Sequence, residues 1–242
     1  MPQTLGLPRL VREPAPVPSD LEALRTQIDR LDHELLDLIE QRLTACIAIA
    51  GLKANDRSGT LRFRPRRETE IIGRLIDRAD RASPALVTHV WRELMAHCLQ
   101  AQARTDLVLC ASRSPHTLKE RVRERLGRAA HAQWVASPEE ALDLAHRREV
   151  VAAIEYSPLA PWWTALRHSN LAAFDLIRED SGRLLAIIVG RVGPDDVAEG
   201  PSLRVLTEGE LEIRRARGET LEPIAASAEL RLCLTSQGEA NR

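Results

Sequence analysis

Apolar residues in the first part of the chain recur at Leu21, Leu24, Ile28, Leu31, Leu35 and Leu38, in alternating steps of three and four. That period predicts a long amphipathic helix with a coiled-coil-like seam. "SDLE" at residues 19–22 has the form of a capping box, with Ser19 as the cap and Glu22 reaching back. Neither Pro nor Gly interrupts the pattern before Gly51. At 1.5 Å per residue the helix would run roughly 45 Å or more. One small partner cannot cover a helix of that length, which points to an oligomer. Asn, Asp, Ser, Gly and Pro within residues 54–65 mark a loop. A second helix is expected over about 66–80, with Ile71, Ile72, Leu75 and Ile76 on one face. Ser83–Pro84 starts a third, because Ser caps and Pro suits the first helical position. Its apolar face is read as Val87, Val90, Trp91, Leu94 and Cys98.

After residue 104 the pattern changes. "DLVLCAS", "AQWVAS", "VVAAIEY" and "LLAIIVGRV" have the short apolar runs of buried strands. Between the early ones lie "SPHTLKERVRERLG" and "SPEEALDLAHRRE", helical patterns with Ser-Pro starts, the first with a Gly stop. Alternating strands and helices predict a three-layer, partly parallel sheet domain. Residues 201–242 give no clear pattern. The expected fold class is therefore α + α/β: a three-helix domain over 19–103, then an α/β sheet domain over 104–242. The proline-broken lead 1–18 is expected to be disordered.

Composition narrows the chemistry by exclusion. With 34 basic and 35 acidic residues, the chain lacks the basic excess of a domain built to hold nucleic acid. Positive charge is instead local: Lys53, Arg57, Arg62, Arg64, Arg66 and Arg67 crowd into one stretch, and Glu68 follows at once. The four cysteines are scattered, without CxxC or zinc-like Cys/His spacing, so no metal is expected and the thiols are read as reduced and cytoplasmic. His89 and His97 lie eight apart, without metal-pair spacing, and are read as structural. The lead lacks a signal-peptide pattern, and no apolar run is long enough to span a bilayer. Neither G-x-G-x-x-G nor G-x-x-x-x-G-K-[ST] occurs, so no nucleotide cofactor is expected.

One position breaks the first helix's rule. Past Leu38 the seam continues through residue 42, where an arginine stands in place of a leucine. A guanidinium in a buried seam needs an anion. Lys53 follows eleven residues on, which turns the helix about 1,100° and brings Lys53 back to nearly the same face, roughly 16 Å along the axis. Two long cationic side chains so placed can close on one small anionic molecule. Arg25 lies roughly 25 Å before Arg42 and about 100° around the helix. Spacing alone makes it either an ordinary exposed arginine or, if it serves the same ligand, one supplied by a second copy of the helix. Cys98 and Gln102, four apart, share a face of the third helix. Gln102 can donate to an ether or carboxylate oxygen without changing charge.

These residues together resemble the all-helical (AroQ-class) chorismate mutases. The correspondence runs through "LEALRTQIDRLDHELLDLIEQR", Lys53 in "GLK", "RRETEIIGRL" and "CLQAQ", covering about residues 19–103. The resemblance implies an intertwined all-α homodimer that rearranges chorismate to prephenate without metal or cofactor. It implies that Arg42 binds a substrate carboxylate, that Lys53 and Gln102 grip the ether oxygen, that Glu68 holds the ring hydroxyl, and that Arg25 arrives from the other subunit. Cys98 stands where the family often has serine. Arg64 aligns with a commonly acidic position near the hydroxyl, and Arg67 is taken as a secondary charge. The loop before Glu68 is about two residues longer than is usual. Isochorismate pyruvate lyase, on the same scaffold, is the alternative. A helical dimer whose basic loop binds nucleic acid is the alternative of another class, and it leaves Arg42 and Lys53 unexplained.

"VVAAIEYSP" (150–158) faintly resembles the V-V-P-I-E-N-S segment of prephenate dehydratases, with Tyr156 in place of the asparagine. No T-R-F motif occurs in 105–242, so a bifunctional mutase–dehydratase is disfavoured and an accessory, non-catalytic domain is expected. Trp162 and Trp163 are read as packing residues.

Overall fold

A computed structural model describes residues 20–52, 63–147, 150–192 and 202–236. The lead 1–18, Ser19 and its proposed cap, and Lys53 lie outside the described residues. Two compact units are formed, Met1–Arg42 and Leu43–Arg242. No helix among the described residues is long and apolar enough to cross a membrane.

Helix α1 (Leu21–Leu52) has 32 residues and contributes none to a buried core. Its seam residues Ile28, Leu31, Leu35 and Leu38 are all about half exposed or more. The seam that the sequence predicts as a packing surface is thus open in the single chain.

In the second unit, α2 (Pro65–Arg78) starts with Pro at its first position and carries Glu68 in its first turn. Arg66 Nε donates to Glu70 Oε1 at 2.8 Å one turn on. Helix α3 (Pro84–Gln102) begins as the sequence predicts, with Ser83 Oγ accepting from Leu86 N at 3.2 Å. Its buried face is Val87, Met95, Ala96 and Cys98. This corrects the expected face, since Val90 is exposed and Trp91 and Leu94 are only half-buried. The reason is where α3 packs: its Arg92–Ala96 stretch lies against the end of α4 (Pro115–Leu126). There Glu93 Oε2 accepts from Arg128 N at 3.0 Å. Gly127, which ends α4, has φ +78°, and a Cβ on it would stand 2.5 Å from Ala96 Cβ.

The remaining elements are β1 (Asp106–Cys110), β2 (Ala132–Trp134), α5 (Pro138–Arg147), β3 (Val150–Glu155), the 3-10 helix η1 (Trp162–His168), β4 (Ala172–Arg178), β5 (Leu184–Gly190), β6 (Ser202–Thr207), α6 (Glu208–Ala216), β7 (Thr220–Ser227) and β8 (Leu230–Ser236). They form one mixed sheet in the order β2-β1-β3-β5-β4-β6-β8-β7. Strand β1 pairs in parallel with β2 and β3, and every other pairing is antiparallel. Strand alternation sorts the core onto two faces. Val150, Ala152 and Ile154 join α5 and the buried Trp162 and Trp163 on one face. Val151 and Ala153 join Leu118 and Val122 of α4 on the other, together with Phe63. The tryptophans are core residues, as the sequence suggests.

Two regions were not legible in the sequence. Strand β4 forms a hairpin with β5 through Glu179–Gly182, closed by Gly182 N donating to Glu179 O at 2.9 Å. Residues 202–236 form a β-α-β-β extension with its own small cluster, Leu206, Leu211, Leu221 and Cys233. A Thr207/Glu210 capping box starts α6.

Candidate functional site

The first turn of α2 and the end of α3 carry five of the candidate residues. Arg64 precedes α2 and is half-buried; its carbonyl accepts from Glu68 N at 3.1 Å. Arg67 is exposed, whereas Glu68, one position on, is turned inward with its side chain only 17% exposed. Cys98 is buried and Gln102 half-buried, one turn apart on α3. The neighbouring Gln100 is taken up by structure: its amide donates to Thr105 O at 2.8 Å and accepts from Thr105 N at 3.3 Å. That closes the link from α3 into β1.

Glu68 sits in a small ionic cluster drawn from both halves of the sequence. Arg125 of α4 places Nη1 3.7 Å from Glu68 Oε2 and Nε 2.5 Å from Asp175 Oδ2 on β4. Asp175 also accepts from Leu176 N at 2.8 Å. Arg92 of α3 adds a second guanidinium, donating to Glu124 O at 3.3 Å, while its Nε is buried with no hydrogen-bond partner among the described residues. Burial pushes the Glu68 carboxyl up to about 7, and the Asp175 charge adds to this, while Arg125 and Arg92 pull the other way. Burial also holds Arg92 below its ordinary value, as does its neighbour Arg125. Near neutral pH the Glu68 carboxyl is therefore divided between its protonated and ionised forms.

Sequence reading finds Glu68 but not Arg92, Arg125 or Asp175. Arg125 is one of three arginines in "RVRER", and no spacing rule distinguishes it from Arg121 or Arg123. Only the packing of α3 on α4 turns it toward Glu68.

In the first unit, Arg25 is exposed and pairs with Glu22, Nη1 to Oε2 at 3.3 Å. Arg42 is partly exposed on α1. Among the described residues no cluster of His, Cys, Asp and Glu could hold a metal ion. His89, read as structural, holds Ala85 O with Nδ1 at 2.8 Å.

Residues 24–103 match the protein-family model for chorismate mutase type II. The match spans all three helices, α1 to α3, and stops where β1 is about to begin. No curated protein and no solved structure matches the chain.

Proposed function

From a chorismate mutase type II domain over residues 24–103, the domain of an isomerase, we propose that the chain rearranges chorismate to prephenate and that Arg42, Lys53, Glu68 and Gln102 carry the reaction. The observation that carries this reading is the family match, within which an arginine takes a seam position of α1 and a lysine follows eleven residues on.

The rearrangement is pericyclic. It needs no nucleophile, only the reactive chair conformer held in place and the charge developing on the ether oxygen stabilised. Preorganised cations and amide donors supply both. In this reading Arg42 takes one carboxylate of the dianion, and Lys53 and Gln102 donate to the ether oxygen. Glu68 receives the ring hydroxyl, with Arg64, Arg67 and Cys98 around it. The half-exposed apolar seam of α1 supports a homodimer, since a second copy offers a matching stripe to cover it. Arg25 would then reach the site from the other subunit. The four free thiols suit a reducing cytoplasm.

The test is to incubate the purified chain with chorismate and identify the product. Prephenate supports the mutase, and no turnover sinks it. Pyruvate released from isochorismate would assign the lyase in its place. Phenylpyruvate would show that the sheet domain is also catalytic.

A further inference from the structure

The sheet reverses its winding between β1 and β3. Chain leaving β1 passes through α4 to β2 on one side, and chain leaving β2 passes through α5 to β3 on the other. Helices α4 and α5 pack on opposite faces of the sheet. In open α/β sheets such a reversal opens a crevice at the carboxyl ends of the strands, and small molecules bind there. A cavity of about 440 Å³ occupies that place, within the size range of small-molecule sites.

Its charged lining is balanced. Arg113 follows β1, Glu155 ends β3, and Glu179 and Arg183 flank the β4–β5 turn. Arg183 grips Glu179 through two bonds, Nη2 to Oε1 at 2.6 Å and Nε to Oε2 at 3.0 Å. Two guanidiniums and two carboxylates sum to zero. A dianion would meet both carboxylates, and a bare cation both guanidiniums. A molecule carrying one charge of each sign fits both pairs. Leu184 and Leu185 add an apolar wall.

Glu155 gives the second, independent sign. Its side chain is 6% exposed, at the end of a wholly buried strand. One oxygen, Oε2, accepts from Ser112 N at 2.9 Å and Arg113 N at 3.0 Å, holding the start of the β1–α4 connection. The other, Oε1, is buried with no hydrogen-bond partner among the described residues. Arg113 Nε lies 3.6 Å from it, outside hydrogen-bond reach, and the Arg113 side chain is half exposed. Its Nη2 donates to Tyr156 O at 2.5 Å. A buried carboxylate oxygen left one donor short is rare in a folded protein. An ammonium would supply the missing donor, and a carboxylate on the same molecule would accept from the half-exposed Arg113 guanidinium.

We propose that this crevice at the carboxyl ends of β1 and β3 binds a free α-amino acid. Its ammonium sits on Glu155 Oε1, its carboxylate on Arg113, and its side chain against Leu184 and Leu185. The proposal stands apart from the mutase reading.

The test is calorimetric titration of the full chain with the protein L-amino acids, one at a time. For any that binds, the matched amine without the carboxylate and the matched acid without the amine follow, with malate as a dianion probe. At least one amino acid should bind, at least tenfold more tightly than either truncated form or malate. Glu155→Gln keeps an acceptor for the Ser112 and Arg113 amides but turns Oε1 into an N–H donor, and should weaken binding tenfold or more. Arg113→Ala, at a half-exposed side chain, should do the same without unfolding the chain. No binding by any amino acid, tighter binding of malate, or affinity unchanged in Arg113→Ala would each overturn the proposal.

Discussion

Arg125 stands between two carboxylates, 3.7 Å from Glu68 on one side and 2.5 Å from Asp175 on the other. Glu68 belongs to the second helix of the segment that matches chorismate mutase type II, while Arg125 and Asp175 belong to the α/β half of the chain. The residue proposed to hold the substrate hydroxyl is thereby tied, through one guanidinium, to strand β4 of the sheet. Each of the three side chains is under one-fifth exposed, so screening by water is limited.

Removing the shared cation should leave both carboxylates short of charge. Arg125→Met keeps much of the volume and deletes the guanidinium. Because Arg125 pulls the Glu68 carboxyl down, its loss should raise that carboxyl above about 7. Breaking a buried pair on one side costs about 3 kcal/mol. Carboxyl carbon NMR of glutamate-labelled protein would follow the first effect and urea unfolding the second. An unmoved Glu68 titration would show that the 3.7 Å pair is not coupled in solution.

Stability should fall with rising pH through the same group. The folded chain holds the Glu68 proton up to about 7, against 4.5 for an unburied carboxyl. The native state therefore binds more protons than the unfolded chain between those values, and stability declines as pH rises across that window. At 1.36 kcal/mol per pH unit the decline is about 3 kcal/mol. Glu68→Gln should lack it, so its stability relative to wild type should rise between pH 5 and pH 8. Parallel stability curves for the two proteins across pH 5–8 would rule this out.

The close approach of α4 to α3 makes its own prediction. Gly127 combines φ +78° with ψ 178°, a region of backbone space essentially reserved for glycine. A Cβ there would also meet Ala96 Cβ at 2.5 Å. Gly127→Ala should cost about 2–3 kcal/mol, strain and overlap together. Thermal unfolding reads this directly, and a variant as stable as wild type would mean that the helices can part without loss.

What the sequence made legible was local. Ser83–Pro84, the glycine after Leu126 and the short apolar run in "VVAAIEY" each mark an element through short-range chemistry, and the helices and strands there lie where expected. The hairpin partner "AAFDLIR" is hard to read as a strand because Asp175 interrupts its apolar run, and that aspartate faces Arg125. The terminal β-α-β-β segment gives a weak pattern because β7 carries Pro223 at a shift in register, although the Thr207/Glu210 box marks the start of its helix. Glu68 could be named from sequence, but its partners could not. Arg125 and Asp175 come within reach only through tertiary packing across 57 and 107 residues of chain.

The identity of Gln102 sets the expected pH behaviour of catalysis. A neutral amide donates to the ether oxygen at any pH, whereas a glutamate would have to be protonated first. Gln102→Glu should move the optimum of kcat/KM with chorismate to acid pH. An optimum that stays neutral in this variant would remove Gln102 from the site.

Complementation tests the proposed dimer separately from the chemistry. If Arg25 serves a site whose Arg42 belongs to the other subunit, Arg25→Ala and Arg42→Ala chains are each inactive alone. A mixed dimer of the two contains one site with both arginines intact and one with neither. Random re-pairing makes half of the dimers mixed, so activity should return to about a quarter of wild type. If both arginines served the same site from one chain, no re-paired dimer would contain a complete site and activity would stay absent. If Arg25 were an ordinary surface residue, as its exposed pair with Glu22 allows, the Arg25→Ala protein would be active before any mixing. Activity measured before and after denaturation and joint refolding therefore distinguishes the three arrangements. Sedimentation of the wild-type chain shows independently whether the half-exposed seam of α1 is covered by a second copy.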